Sequence, residues 1–150
     1  MGIKADLETA VKDAMRSHDE DRKRVYRLAL AAINFSEKNL GKALDEDEVT
    51  AIIQKEIKIR NETLVEAKKA DRTKMAAEVE NEIVLLESFL PQQLTDEELR
   101  GLVHDAIREL NAQSIADMGK VMKSVLQQAK GRAPNDQVSK LVKELLLKNE

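Results

Sequence analysis

The chain has 150 residues and a formal net charge of -3, the length of one ordinary domain or of two small helical ones. It has no Cys, which excludes disulfides, thiolate catalysis and Cys-ligated zinc. Aromatics are limited to Tyr26, Phe35 and Phe89, and 35% charged residues with only 5 Gly and 2 Pro point to helices whose cores are built from Leu, Ile, Val, Ala and Met.

Every periodic segment has the helical period, and none alternates long enough to predict a strand. Ile3, Leu7, Ala10, Val11 and Ala14 step by three and four, predicting a first helix that ends near Ser17-His18. A second is expected from about Asp21 to Leu40 on Val25, Leu28, Ala29, Ala32 and Ile33, with Gly41 placed to stop it. Asp45 can cap a third, with Glu46, Asp47 and Glu48 in the first turn at the positive end of the dipole. Its apolar row is Val49, Ile52, Ile53, Ile57 and Leu64. A fourth begins near Asp71 or Arg72 and follows Met75, Val79, Ile83, Leu86 and Leu90 to Pro91. The short break at Ala70-Asp71 makes these two helices antiparallel neighbours.

"LPQQLTDEEL" is the clearest boundary, because Pro91 stops one helix while Thr95 and Glu98 form a capping box that starts another. We therefore expect an all-α protein with a larger N-terminal bundle over 1–91 and a small three-helix unit over 95–150. The helices of that unit are predicted from about Asp96 to Leu110, from Ser114 to Lys130 and from Asn135 to Lys148.

Drawn at 100° per residue, the third helix puts Glu56 and Arg60 inside its apolar stripe, and counting outward from the turn places Glu82 opposite Arg60. We expect a partly buried ion network of these three, read as a packing and register device. Acid-base chemistry at this place would need a His or a nucleophile beside it. His18 and His104 are the only histidines and lie in no metal-binding pattern, so no metal or cofactor is expected. The acidic run at 45–48 lacks the glycine and ligand spacing of a calcium loop.

"DMGKVMKSVLQQAKGRAPND", residues 117–136, holds clustered glycines and lysines. No glycine stands five residues before Gly119 and no strand leads into it, so it is not a phosphate loop. On a wheel Ile115, Met118, Met122, Val125, Leu126 and Ala129 share one face, while Lys120, Lys123, Gln127 and Lys130 form a separate stripe. Gly119 at the edge of the apolar face suggests close approach of another helix, at roughly 1 kcal/mol relative to Ala. Gly131 fits a left-handed C-terminal cap, Pro134 forbids continuation, and Asn135 can cap the last helix. Together these make a helix-turn-helix joint.

Residues 1–110 carry 18 Lys+Arg against 24 Asp+Glu, while residues 111–150 carry 7 against 4, so an anionic partner should prefer the C-terminal end. The candidate phosphate contacts are Lys120, Lys123, Lys130 and Arg132, followed by Lys140 and Lys143 on the next helix. The competing reading is an ordinary solvated face. "RKRVYR", residues 22–27, is a second basic patch, preceded directly by Asp19, Glu20 and Asp21.

No apolar run approaches the roughly 20 residues of a membrane span, and "MGIKADLETA" lacks the apolar core of a signal peptide. Asp6 stands where a myristoylation signal has Ser or Thr. A location in the cytoplasm or an organelle interior, with no membrane partner, is expected.

"ADMGKVMKSVLQQAKGRA" (116–133), "ESFLPQQLTDEEL" (87–99), "RLALAAI" (27–33) and "IIQKEIKIRNETL" (52–64) resemble the GatB/YqeY family, nearly the whole chain being covered in order. Its members are free-standing YqeY-like proteins and the C-terminal tail of the GatB component of the glutamine-dependent tRNA amidotransferase. The resemblance implies an all-helical, two-part protein whose tail-like unit faces tRNA, the catalytic sites of the amidotransferase lying in domains absent here. Met118, Gly119, Lys120, Val121, Met122, Lys130 and Gly131 match the tail motif, whereas Arg132-Ala133-Pro134-Asn135 departs from it. Carbon-nitrogen ligase activity with glutamine as amido donor, a frequent description of the family, is read as belonging to the long relative. Expected partners are thus tRNA, with no DNA, or alternatively a protein such as an amidotransferase or synthetase on which the chain docks as an adaptor. An enzyme in its own right would need a site made from Arg60, Glu56 and Glu82.

Overall fold

Helices with short connections make up the computed structural model, which describes residues 2–148 and among them contains no strand. They are α1 (Ile3–Arg16), α2 (Glu20–Leu40), α3 (Glu46–Lys69), α4 (Thr73–Glu87), α5 (Asp96–Glu109), α6 (Met118–Ala129) and α7 (Asn135–Lys148), with a 3-10 turn at Ile115–Asp117 before α6. The all-α expectation holds. Met1, Asn149 and Glu150, included in the boundaries drawn from the sequence, lie outside the described residues. Contacts divide the chain into two compact units between Leu90 and Pro91.

In the first unit each helix starts where its orphan N–H groups find an acceptor. Gly2 has no side chain to cap α1, so the Ile3 N–H donates to Glu46 Oε1 at 3.0 Å. Asp19 accepts from the Arg22 N–H, and Asp45 with Glu48 closes a full capping box on α3. Such caps contribute about 1 kcal/mol each. Gly41, at φ 69, ends α2 in the left-handed region. α3 and α4 run antiparallel, as the ion pairs Arg60–Glu82 and Lys68–Glu80 show by their order along the two helices.

The core of this unit contains Leu7, Val25, Ala29, Ile33, Ile53 and Leu86, all nearly or fully inaccessible. Tyr26 joins it, its ring edge-on to Phe89 with centroids 5.3 Å apart. Two expectations need correction. Leu28 and Met75, assigned to apolar rows, are 48% and 39% exposed, because each sits at the margin of a face whose centre meets the neighbouring helices. α4 also ends at Glu87, before the predicted Leu90. Pro91 disfavours helical backbone at Leu90, and the Ser88 hydroxyl donates to the Leu85 carbonyl at 2.6 Å, closing the last turn early.

The second unit packs α5, α6 and α7 each against the other two. Its core includes Leu99, Val103, Ala106, Val121, Val125, Val138, Val142 and Leu146. Thr95 and Glu98 form the predicted capping box on α5. Pro91 to Leu94 is tied to the turn between α6 and α7: the Leu94 N–H donates to the Arg132 carbonyl at 2.8 Å, and Gln93 Nε2 to the Gly131 carbonyl at 3.1 Å.

Candidate nucleic-acid interface

The basic stretch is built on three successive pieces. The predicted single helix from Ser114 to Lys130 is a 3-10 turn followed by α6, which stops at Ala129. Asp117 organises the change of geometry. Its carboxylate accepts the Gln113 N–H at 2.9 Å and pairs with Lys120 Nζ at 3.3 Å, and those two contacts, the first foremost, hold its pKa below the usual carboxylate range.

α6 turns Val121, Val125 and Ala129 into the core, with Met118, Met122 and Leu126 half-buried beside them. Val121 was missing from the predicted row yet is fully buried, while Ile115, placed on that row, is 39% exposed because it stands in the 3-10 turn. Lys120, Lys123 and Gln127 lie on the opposite, exposed side. Among the described residues, the close helix approach expected at Gly119 is not made, since no atom of another element lies within 4 Å of where its Cβ would be.

Two consecutive left-handed residues end α6, Lys130 at φ 47 and Gly131 at φ 78. The sequence points to Gly131 alone, and the C-cap itself is Lys130. The Arg132 N–H returns to the Ala129 carbonyl at 2.9 Å, and α7 then starts on Asn135. Asn135 does not fill the capping role expected of it: the Val138 N–H donates to the Pro134 carbonyl at 3.1 Å, which puts Pro134 at the cap position.

The predicted contact residues divide into two groups. Lys123, Lys130, Lys140 and Lys143 are exposed, and among the described residues none forms an ion pair. Lys120 is paired with Asp117, and Arg132 is half-buried with its Nε donating to the Gln92 carbonyl at 2.8 Å, which also ties it to the segment before α5. The "RKRVYR" patch is offset by its own preceding carboxylates: Arg22 pairs with Asp19, Lys23 with Glu20, and Arg24 with Asp21.

In the first unit, Arg60 Nη1 lies 3.0 Å from Glu56 Oε2, and Arg60 Nε lies 3.3 Å from Glu82 Oε1. Arg24, which sequence reasoning did not connect to this place, reaches the same Glu82 oxygen from α2 at 3.6 Å. The charges therefore alternate across three helices. No pattern in α2 singles out Arg24 from its neighbours, since the contact depends on how α2 lies against α4. His18 and His104 are exposed, and among the described residues no group of three or more His, Asp or Glu converges to hold a metal ion. Among those residues, no helix is long and apolar enough to cross a membrane.

The molecule is thus an all-helical chain of two units with an exposed, lysine-bearing joint in the second. It belongs to the family described as Yqey-like protein, whose model matches residues 4–146. An uncharacterized protein of Schizosaccharomyces pombe is 24% identical to it over 94 residues, which covers 63% of this chain and 76% of that protein.

Proposed function

We propose that this Yqey-like protein is a tRNA-binding accessory module without a catalytic centre of its own, its second unit holding RNA phosphates. The observation that carries the reading is the contrast between basic patches: Lys123, Lys130, Lys140 and Lys143 carry no ion pair among the described residues, whereas residues 22–24 are matched by adjacent carboxylates. Unpaired lysines on rigid helices suit shape-based contact with phosphates. The experiment titrates bulk tRNA against the wild-type protein and a Lys123→Glu, Lys130→Glu, Lys140→Glu variant at low and physiological salt. Binding that weakens steeply with salt and is lost in the variant supports the reading. Absence of binding at either salt, or equal binding by the variant, defeats it.

A second reading, an adaptor docking on a protein partner, draws support from α2, where Leu28 and Phe35 are 48% and 67% exposed seven residues apart on one helix face. Docking of that kind is insensitive to salt and is removed by Leu28→Ser with Phe35→Ser.

A further inference from the structure

The lysines of the second unit lack the companions that single-stranded RNA requires. Splayed bases are held by stacking on aromatic rings or guanidinium planes as well as by charge. Residues 91–150 contain no Phe, Tyr or Trp. The one imidazole there, His104, sits on α5 and lines an open hollow with Arg108, Asn111 and Gln113, outside the lysine-bearing helices. All three arginines of the unit are engaged: Arg100 with Asp96 and Glu144, Arg108 with Asp105, and Arg132 with the Gln92 carbonyl.

What remains is ammonium groups on helices. A lysine is a point charge that holds phosphate and reads no base. At 100° per residue, Gly119 and Lys123 fall about 40° apart on α6, one turn from each other, and Lys130 stands at the left-handed residue that ends the helix. Gly119 stands one turn before Lys123 with open space where a Cβ would be, although a helical glycine is unfavourable relative to alanine and, among the described residues, no other part of the fold comes within 4 Å of that position. Lys130 is the complementary case, a side chain kept at a left-handed position where glycine would be unstrained. Bare backbone at Gly119, an exposed ammonium at Lys123 one turn on and another at Lys130 where the helix ends suit a sugar-phosphate chain of fixed shape lying along this surface.

Resting on the RNA-binding reading above, we infer that the ligand of this strip is the backbone of duplex RNA, such as the helical arm of a folded RNA, bound by shape and charge without regard to sequence. The test compares bulk tRNA, two unrelated RNA duplexes of about 20 base pairs and one non-pairing single strand of the same length, with wild type and Gly119→Ala. The inference expects the two duplexes to bind alike and the single strand to bind about tenfold more weakly at the same salt. Gly119→Ala should raise the thermal midpoint of the second unit while weakening the duplex several-fold, a pairing of effects that a structural glycine would not produce. tRNA binding with a single strand equal to or tighter than the duplexes overturns the inference and leaves the RNA-binding reading standing, as does tRNA binding with Gly119→Ala leaving duplex affinity unchanged. Failure of tRNA itself to bind defeats both.

Discussion

Removing the guanidinium of Arg60 probes the ion network of the first unit most directly. Arg60→Leu leaves the largely buried carboxylates of Glu56 and Glu82 with less compensation. Breaking a fully buried pair costs about 3–5 kcal/mol, an exposed one less than about 1 kcal/mol. The side chains of Arg60, Glu82 and Glu56 are 12%, 14% and 22% exposed, near the buried end of that range. Arg24 stays 3.6 Å from Glu82 and offsets part of the loss. The expected destabilisation is therefore about 2–3 kcal/mol. For a unit of this size that lowers its melting midpoint by roughly 10 °C or more. Adding Glu56→Gln and Glu82→Gln removes the stranded charges and should recover most of the loss. Urea unfolding followed by circular dichroism measures all three proteins. An Arg60→Leu variant within about 0.5 kcal/mol of wild type, or a triple variant no more stable than the single, refutes the account.

Lys130→Gly relieves a left-handed lysine and should stabilise the second unit by about 1 kcal/mol while lowering tRNA affinity, read by thermal melting and the same tRNA titration. Glu37 accepts Lys4 Nζ at 2.6 Å and the Leu44 N–H at 3.0 Å, and the lysine contact first, then the amide, holds its pKa below the usual glutamate range. A carboxyl depressed by folding contributes stability above its unfolded pKa and loses it as pH falls through the folded value. Glu37→Gln should accordingly unfold at lower urea than wild type at pH 7, and the gap should close on acidification below about pH 4. A gap that stays constant from neutral to acid pH contradicts this.

Periodicity, caps and breakers made most of the fold legible. The capping box at Thr95 and Glu98, the left-handed Gly41 and the span of α7 follow from local residue chemistry, which acts within a turn or two and is written in neighbouring positions. The antiparallel course of α3 and α4 also follows locally, since a break of three residues leaves little choice. Glu56, Arg60 and Glu82 stand together because a turn of known position converts sequence distance into register.

Other features depended on which helix lies beside which. A wheel shows an apolar face but not its centre, so Leu28, Met75 and Ile115 fall on predicted apolar rows yet are exposed, while Val121, outside its row, is fully buried. The lysines opposite that face could be read from the same wheel, but not which of them are free. Lys120 is taken by Asp117, three residues before it, and Arg132 reaches the carbonyl of Gln92, 40 residues earlier. The sequence by itself determined where helices form and which charges they carry, because propensity and capping are local. Only the tertiary structure decided the depth of each apolar face and the long-range charge contacts, such as Arg24 with Glu82 and Arg132 with the Gln92 carbonyl, because these depend on residues distant in the chain brought together by packing.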